Sequence, residues 1–442
     1  MKILCLIFAF LSAALASNLN YTLIKKGVEN NNTVLVMGGI QGDEPGGFLA
    51  ANLIALEYNI TAGSVWVIPN LNFDSIIKNN RGAKGDMNRK FATLAKNDPD
   101  YRAVMGVKKL VADPAVSLIV HLHDGSGFYR EKYINAMENP KRWGNSCIID
   151  QEKLPGSPYG DLIGISSHIA KEINKHIKDP KHKYHVKNTR TAEGDTEMLK
   201  SLTWYAVTEG KAAFANEASK SLPTHLRVYY HLLAIESYLR TAGIKFERSF
   251  ALTPDGVKKA IEKEIDVSIN DGKFFLALKD PRKQINFVPM PKGAKLEYNA
   301  TNPLAALISA KGGVSVYYGN RMLTKITPEY FEYSNLVSKV DIKLDGKDEQ
   351  VPLGTKIYAD KSIEIVSKKG IRVNVIGYSS NLKSETDVNI GKKDIDRKFS
   401  IDKAGKLFRV EFYEESKSGA KDKFIGMFLV EFAFLDGEIK AA

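Results

Sequence analysis

Up to about residue 250 the chain alternates short apolar runs with longer stretches of helical spacing. "TVLVMGG", "SVWVIPNLN" and "SLIVHLHD" read as strands, while "PGGFLAANLIALEY" and "THLRVYYHLLAIESYLRTAG" read as helices. That alternation predicts an α/β sheet covered by helices. After Phe250 the helices nearly stop. A mixed segment reaches about Leu336, and the strand-like runs "KIYAD", "SIEIV", "RVNVIGY", "LFRVEFY" and "FIGMFLVEFAF" follow, separated by Lys, Asp, Gly and Ser turns. Such runs predict a small antiparallel sandwich, immunoglobulin-like in type. The expected organisation is a leader at 1–16, an α/β domain with a mixed sheet at 17–250, a small β-rich domain at 251–336 and the sandwich at 337–442.

The leader is "MKILCLIFAFLSAALA", one lysine, an apolar run and an Ala-Leu-Ala end, the pattern of a cleaved secretory signal. No apolar run reaches the roughly 20 residues a bilayer-spanning helix needs. The mature protein is therefore expected to be exported and not membrane-spanning. Once Cys5 leaves with the signal, Cys147 stands alone, so no internal disulfide can form and the cores must hold the fold. A buried apolar role suits Cys147 better than a nucleophilic one. The formal charge is +12. Lys and Arg are spread along the whole chain without a nucleic-acid motif, which favours an acidic cell-wall neighbourhood over nucleic acid.

Chemistry concentrates where the strands end. In "VMGGIQGDEPGG" a strand runs into a glycine turn carrying Gln41 and Glu44, with Pro45 positioned to open a helix. Helix capping by Asp43 and Glu44 would explain this turn taken alone. "SLIVHLHDGSG" ends a second strand at His121 and His123, which alternation puts on one face. A glutamine, a glutamate and a histidine at two strand ends can supply three ligands and leave a fourth position open, as catalytic zinc requires. The loop "NNRGAKGDMNRKF" adds Arg81, Asn88 and Arg89, a grouping suited to binding an anion. "AFANEAS" ends another β-type run at Glu217, where a carboxylate can serve as base.

With "GGIQGDEPGGF", "GDMNRKF", "HLHDG", "NPKRWGN", "NTRTAEGDTEM" and "FANEASK", the chain resembles the M14 zinc carboxypeptidases. It is most similar to the peptidoglycan DL-carboxypeptidases that shape helical bacteria. The resemblance covers nearly the whole mature chain, and like that family this chain has Gln where the common pattern has a first ligand histidine. It implies one zinc ion per chain held by Gln41, Glu44 and His123, with Glu217 as the base. Arg81 would polarise the scissile carbonyl, and Asn88 with Arg89 would hold the terminal carboxylate of the substrate. His121 and Trp143 are expected wall-peptide contacts, and Tyr205 is a candidate for the tyrosine that closes over substrate in M14 enzymes. The implied reaction is removal of meso-diaminopimelate from stem tripeptides in the periplasm.

The resemblance leaves two rivals. One is an aspartoacylase- or succinylglutamate-desuccinylase-like deacylase. The other is a non-catalytic wall-binding scaffold. The β domains are expected to serve contacts with the wall or with shape-determining proteins. "EYNIT" and "EYNAT" place Asn59 and Asn299 in candidate glycosylation acceptors.

Overall fold

The computed structural model describes residues 20–433 apart from 294, 417 and 418; the leader expected at 1–16, with Cys5, lies outside the described residues. The chain divides into two compact units, one ending at Lys263 and one beginning at Glu264. Among the described residues, no helix is long and apolar enough to cross a membrane.

The first unit is built on a seven-stranded sheet. Its strands are β1 (Ile24–Gly27), β2 (Thr33–Met37), β3 (Ser64–Ile68), β4 (Val116–Gly125), β5 (Ser146–Ile149), β6 (His185–Asn188) and β7 (Ala212–Ser219). Their spatial order is β1-β3-β2-β4-β7-β5-β6. The central four, β3, β2, β4 and β7, run parallel; β1 and β5 run against their neighbours, and β6 follows β5. The central strands are buried along their whole length because helices cover both faces. One face buries Leu35, Met37, Ile119 and Ala213 against Val104, Val107, Leu202 and Ala206 from α2 (Tyr101–Val111) and α4 (Leu202–Thr208). On the other face α1 (Pro45–Glu57) packs beside α5 (Thr224–Thr241); α3 (Leu162–Asn174) covers β5 and β6. Helix Pro254–Ile261 also belongs to this unit and packs on α5.

This order sets where a ligand can bind. The chain leaves β2 toward β3 but leaves β4 in the opposite direction, toward β5, β6 and β7. The divergence opens a crevice beyond the carboxyl ends of β2 and β4, the usual binding place in an open α/β sheet.

The second unit is β-rich. Strands 339–344, 347–352, 362–365 and 390–391 form one four-stranded sheet, and 356–359, 371–375, 407–414 and 423–432 form another. Ile342, Ile363, Val373, Val410, Phe412 and Phe428 from the two sheets meet in one core. The pairings are antiparallel as expected except one, in which Lys356–Ala359 runs parallel to Lys423–Phe432. Alternation of apolar residues reports which face a strand buries and carries no information on its direction.

Cys147 lies fully buried in β5, and burial pushes its thiol up to about 12. Asn59 is exposed in strand Tyr58–Ala62, and Asn299 is half-buried in strand Tyr298–Ala300.

The turn after β2 depends on close backbone approach at Gly42. A Cβ there would come within 2.0 Å of the Ser75 carbonyl group, which is main chain and cannot swing aside. Gly42→Ala should therefore lower stability by about 1–3 kcal/mol and displace the flanking Gln41 and Glu44. Urea denaturation of the purified protein checks this; an unchanged midpoint would show that the Ser75 segment yields freely.

Candidate active site

Sheet register brings the polar residues together. Glu217 on β7 pairs directly with His123 on β4, and Ala215 pairs with His121. Paired residues share a face, so His121, His123 and Glu217 stand on the side that carries Ile119 and Ala213, just past the end of the α2–α4 core. Gln41 and Glu44 reach the same point from the turn after β2. Glu44 is the N-cap residue of α1 but makes no side-chain cap bond. Its Oε2 instead accepts from the Asp124 amide at 3.1 Å and lies 2.9 Å from His123 Nδ1. Gln41 Oε1 lies 3.0 Å from the same nitrogen. Asp43 turns away to pair with Lys220 at 2.7 Å. Capping thus fails to explain this turn.

These three donors fit a small divalent ion. A tetrahedral ion with bonds of about 2.0–2.1 Å needs donors roughly 3.3 Å apart, and both oxygens already stand within 3.0 Å of the His123 nitrogen. Among the described residues, no three His, Cys, Asp or Glu side chains form a metal cluster; here two such residues are completed by an amide oxygen. Charge points the same way. Burial, reinforced by Asp124, raises the Glu44 carboxyl to about 8 against the opposing charges of Lys220 and Arg81. Burial lowers His123 to about 3, so its ring is neutral and available as a ligand. Glu217 is also buried, its Oε2 lacks a hydrogen-bond partner, and burial with the charge of Glu44 pushes its carboxyl well up. A site with two buried carboxyl groups and a neutral imidazole is short of positive charge.

Three residues that the sequence did not single out for a role hold the donors in place. Asp86 accepts both hydrogen bonds of the Gln41 amide nitrogen, at 2.9 and 3.0 Å, which turns Oε1 toward His123. Asp86 also accepts from Arg81 Nε at 3.0 Å and from the Asn88 amide at 3.0 Å. Burial opposes its ionisation, yet the Gln41 hydrogen bond and the charges of Arg81 and Arg89 hold its carboxyl below the usual range. Asp124 is buried under the turn and accepts from Gly46 N, Arg227 and His231. Thr203 Oγ1 lies 2.8 Å from His121 Nε2. The phrases "GDMNRKF" and "HLHDG" contained both aspartates, but partners far away in sequence reveal their work.

His121 lies on the floor of the cleft, 1% exposed, with both ring nitrogens engaged. Its Nδ1 lies 2.8 Å from His123 Nε2 and its Nε2 meets Thr203. With a metal on His123 Nδ1, the His123 proton must sit on Nε2 and be donated to His121, which donates in turn to Thr203. Tyr205, the candidate closing tyrosine, lies on α4. It follows Thr203 by two residues on α4, so the helix turns it away from the cleft to pack on Phe91 beneath Lys108.

The remaining expected residues line the same cleft of about 240 Å³: Arg81, Asn88, Arg89 and Trp143, together with Lys220. Asn88 Oδ1 accepts from the Leu202 amide at 3.0 Å, which leaves its amide hydrogens for a ligand. Arg89 donates to the Asn88 carbonyl at 3.0 Å and lies 3.8 Å from Glu197. A larger, open groove of about 750 Å³ lies beside α3 and holds none of the donor set.

Known proteins carry the same plan. The catalytic domain described as "carboxypeptidase controlling helical cell shape" matches residues 1–262, and a "C-terminal domain of metallo-carboxypeptidase" matches 333–433. The chain belongs to this carboxypeptidase family. A crystal structure of the apo cell shape determinant Csd4 from Helicobacter pylori is 40% identical, covering 94% of this chain and 100% of its own, with a TM-score of 0.86. A tripeptide-bound form of Csd4 matches at 40% identity over the same shares with a TM-score of 0.85. An mDAP-bound form, described as a D,L-carboxypeptidase, matches at 41% identity over 93% of this chain and 100% of its own, with a TM-score of 0.86. A search of curated proteins gave no match. This chain is accordingly a metallocarboxypeptidase.

If Glu44 is one of the ligands, metal uptake needs its carboxylate, and below about pH 8 a proton would compete with the ion. Affinity for a divalent ion should rise with pH on the order of tenfold per unit up to that point and then level off. His123, neutral far below this range, adds no slope. Competition with a chromophoric chelator between pH 6 and 9 measures the profile; a flat profile would remove Glu44 from the ligand set.

Proposed function

We propose that the chain is a zinc-dependent DL-carboxypeptidase of the periplasm that trims peptidoglycan stem tripeptides to dipeptides and releases meso-diaminopimelate. One observation carries this reading: the unpartnered Glu217 oxygen stands beside three converging donor atoms, in a cleft also lined by Asn88 and Arg89. Relatives solved with tripeptide and with mDAP support the choice of substrate. The β-rich unit would serve contacts with the wall or with shape-determining proteins.

Gln41, Glu44 and His123 would hold the zinc. When bound, that ion supplies an acidified water and polarises the scissile carbonyl. Glu217, whose buried carboxyl readily takes a proton, accepts one from the attacking water and returns it to the leaving amine. Arg81, tethered by Asp86, donates to the carbonyl oxygen as charge develops there. Arg89 and the Asn88 amide grip the terminal carboxylate and confine cleavage to the last residue. Trp143 forms part of the cleft wall on the other side of Glu217.

Two tests follow. Glu217→Gln should keep zinc bound while turnover of the tripeptide falls on the order of 10²–10⁴-fold. Zinc content is read by mass spectrometry and products by separating muropeptides from digested sacculi; loss of zinc would make Glu217 a ligand. Arg89→Ala should also sharply lower turnover, because a carboxylate fork is lost. The parent enzyme should ignore a tripeptide amidated at its end or extended by D-Ala. Equal cleavage of tripeptide and tetrapeptide would overturn the assigned pocket, and preference for N-acyl amino acids would favour a deacylase.

A further inference from the structure

The floor of the cleft continues beyond the residues that perform the chemistry. Glu217 pairs with Ser146 on β5, and Ala215 pairs with Ile148. Across the next ladder Ile148 pairs with Lys187 on β6. His121, Ala215, Ile148 and Lys187 therefore form one cross-strand row on one face of the sheet. The first three line the cleft, and Lys187 ends the row at the sheet edge.

Lys187 is held with care. Its Nζ lies 4.2 Å from the Trp143 ring centroid and 4.6 Å from that of Tyr129, a cation clamped by two aromatic faces. It donates to the carbonyls of Pro140 and Arg142 at 2.7 and 3.1 Å, leaving a third N–H. Trp143 in turn flanks the base. A Cβ added at Gly125 would lie 2.6 Å from Trp143 Cβ and 2.7 Å from Glu217 Oε2, so ring and carboxylate close on the same glycine.

What separates Lys187 from the three cations that line the cleft is its partner list. Arg81 pairs with Asp86 at 3.0 Å, Lys220 with Asp43 at 2.7 Å, and Arg89 lies 3.8 Å from Glu197. No carboxylate among the described residues lies within ion-pair distance of Lys187. Burial lowers its ammonium to about 8 against the pull of Glu217. A half-buried cation without a counter-ion gains most from an anion that a ligand brings.

The sheet order says which part of a ligand arrives there. Asn88 and Arg89 follow β3, the donor set belongs to β2 and β4, Glu217 to β7, and Lys187 to β6. A substrate whose terminal carboxylate sits by Arg89 must run its acyl side over β7 and β5 toward β6. Two strand spacings, about 10 Å, separate the strand of the base from that of Lys187, a gap the long lysine side chain spans in part. In a stem peptide the residue on that side is D-Glu linked through its side chain, and its free α-carboxylate stands three carbons from the scissile carbonyl. An ordinary α-peptide has no charge at that place.

The geometry points to Lys187 as the specificity residue that pairs with this α-carboxylate and so selects γ-linked D-Glu with its acid free. The inference rests on the substrate reading above. It makes Trp143 and Tyr129 positioning residues for the lysine.

Two substrates test it with the full-length, zinc-loaded protein: the tripeptide L-Ala-γ-D-Glu-meso-diaminopimelate and the same tripeptide with the D-Glu α-carboxylate amidated. The parent should prefer the free acid on the order of 10–100-fold in kcat/KM. Lys187→Met, which keeps an apolar stem between the rings, should bring the two within about twofold, with the loss in KM. Lys187→Arg should retain the preference, a rescue that loop packing alone would not give. Equal cleavage of both substrates by the parent, or undiminished preference in Lys187→Met, would overturn the assignment. Calorimetric binding of L-Ala-γ-D-Glu and of its amide to the same proteins gives a readout apart from turnover. Parent binding of the acid over the amide, lost in Lys187→Met, would uphold the lysine even if neither tripeptide were cut, an outcome that would sink only the proposed reaction. Should Lys187→Met fail to fold, the parent's two ligands and Lys187→Arg still decide.

Discussion

The two hydrogen bonds from the Gln41 amide to Asp86 are the constraint on which the site depends. An imidazole ligand offers a nitrogen lone pair whenever it is neutral, but a carboxamide has two unlike ends of nearly the same size. Only the oxygen binds a cation, and only a fixed acceptor behind the nitrogen ensures that the oxygen faces inward. Asp86 supplies that acceptor at 2.9 and 3.0 Å. The same carboxylate caps the short turn Met87–Arg89 and tethers Arg81. Orientation of the Gln41 amide and placement of the loop carrying Arg81, Asn88 and Arg89 therefore share one anchor, and disturbance of either is transmitted to the other.

Electrostatics explains why so many charges can stand so close. Glu44, Asp124 and Glu217 are all buried around the crevice, and cations from other elements, Arg227, Arg81 and Lys220, approach from the sides. Asp124 is satisfied by Arg227, His231 and a backbone amide, and it stays ionised. Glu44 and Glu217 are left undercompensated at the crevice itself. Charge that is settled one layer back and unsettled in the cleft is the pattern of a site prepared for a cation.

The chain revealed the crevice and most of its residues, because strand ends beside glycine turns are visible in sequence. Gln41, Glu44, His123 and Glu217 could be found that way, and so could the loop carrying Arg81, Asn88 and Arg89. Their supports could not. Asp86 meets Gln41 across 45 positions and Thr203 meets His121 across 82, and no local pattern records such pairings. Lys187 acquires meaning only from the register of β5 and β6, since nothing in "HVKN" distinguishes it. Residue type and approximate position made Tyr205 a candidate, but only the phase of α4 shows that it packs on Phe91. In the sandwich, alternation reported the buried faces correctly but not that Lys356–Ala359 runs parallel to its neighbour.

Cys147 has a consequence for how the folded protein meets oxidants. It is the sole thiol among the described residues, fully buried, with its proton held to about pH 12. Exchange with a disulfide needs a thiolate that the partner can reach, and here both are missing. The folded enzyme can neither be trapped as a mixed disulfide nor cross-linked through this residue by mild oxidants. Among the described residues no disulfide can form, so the stability of the described fold is indifferent to the redox poise around it.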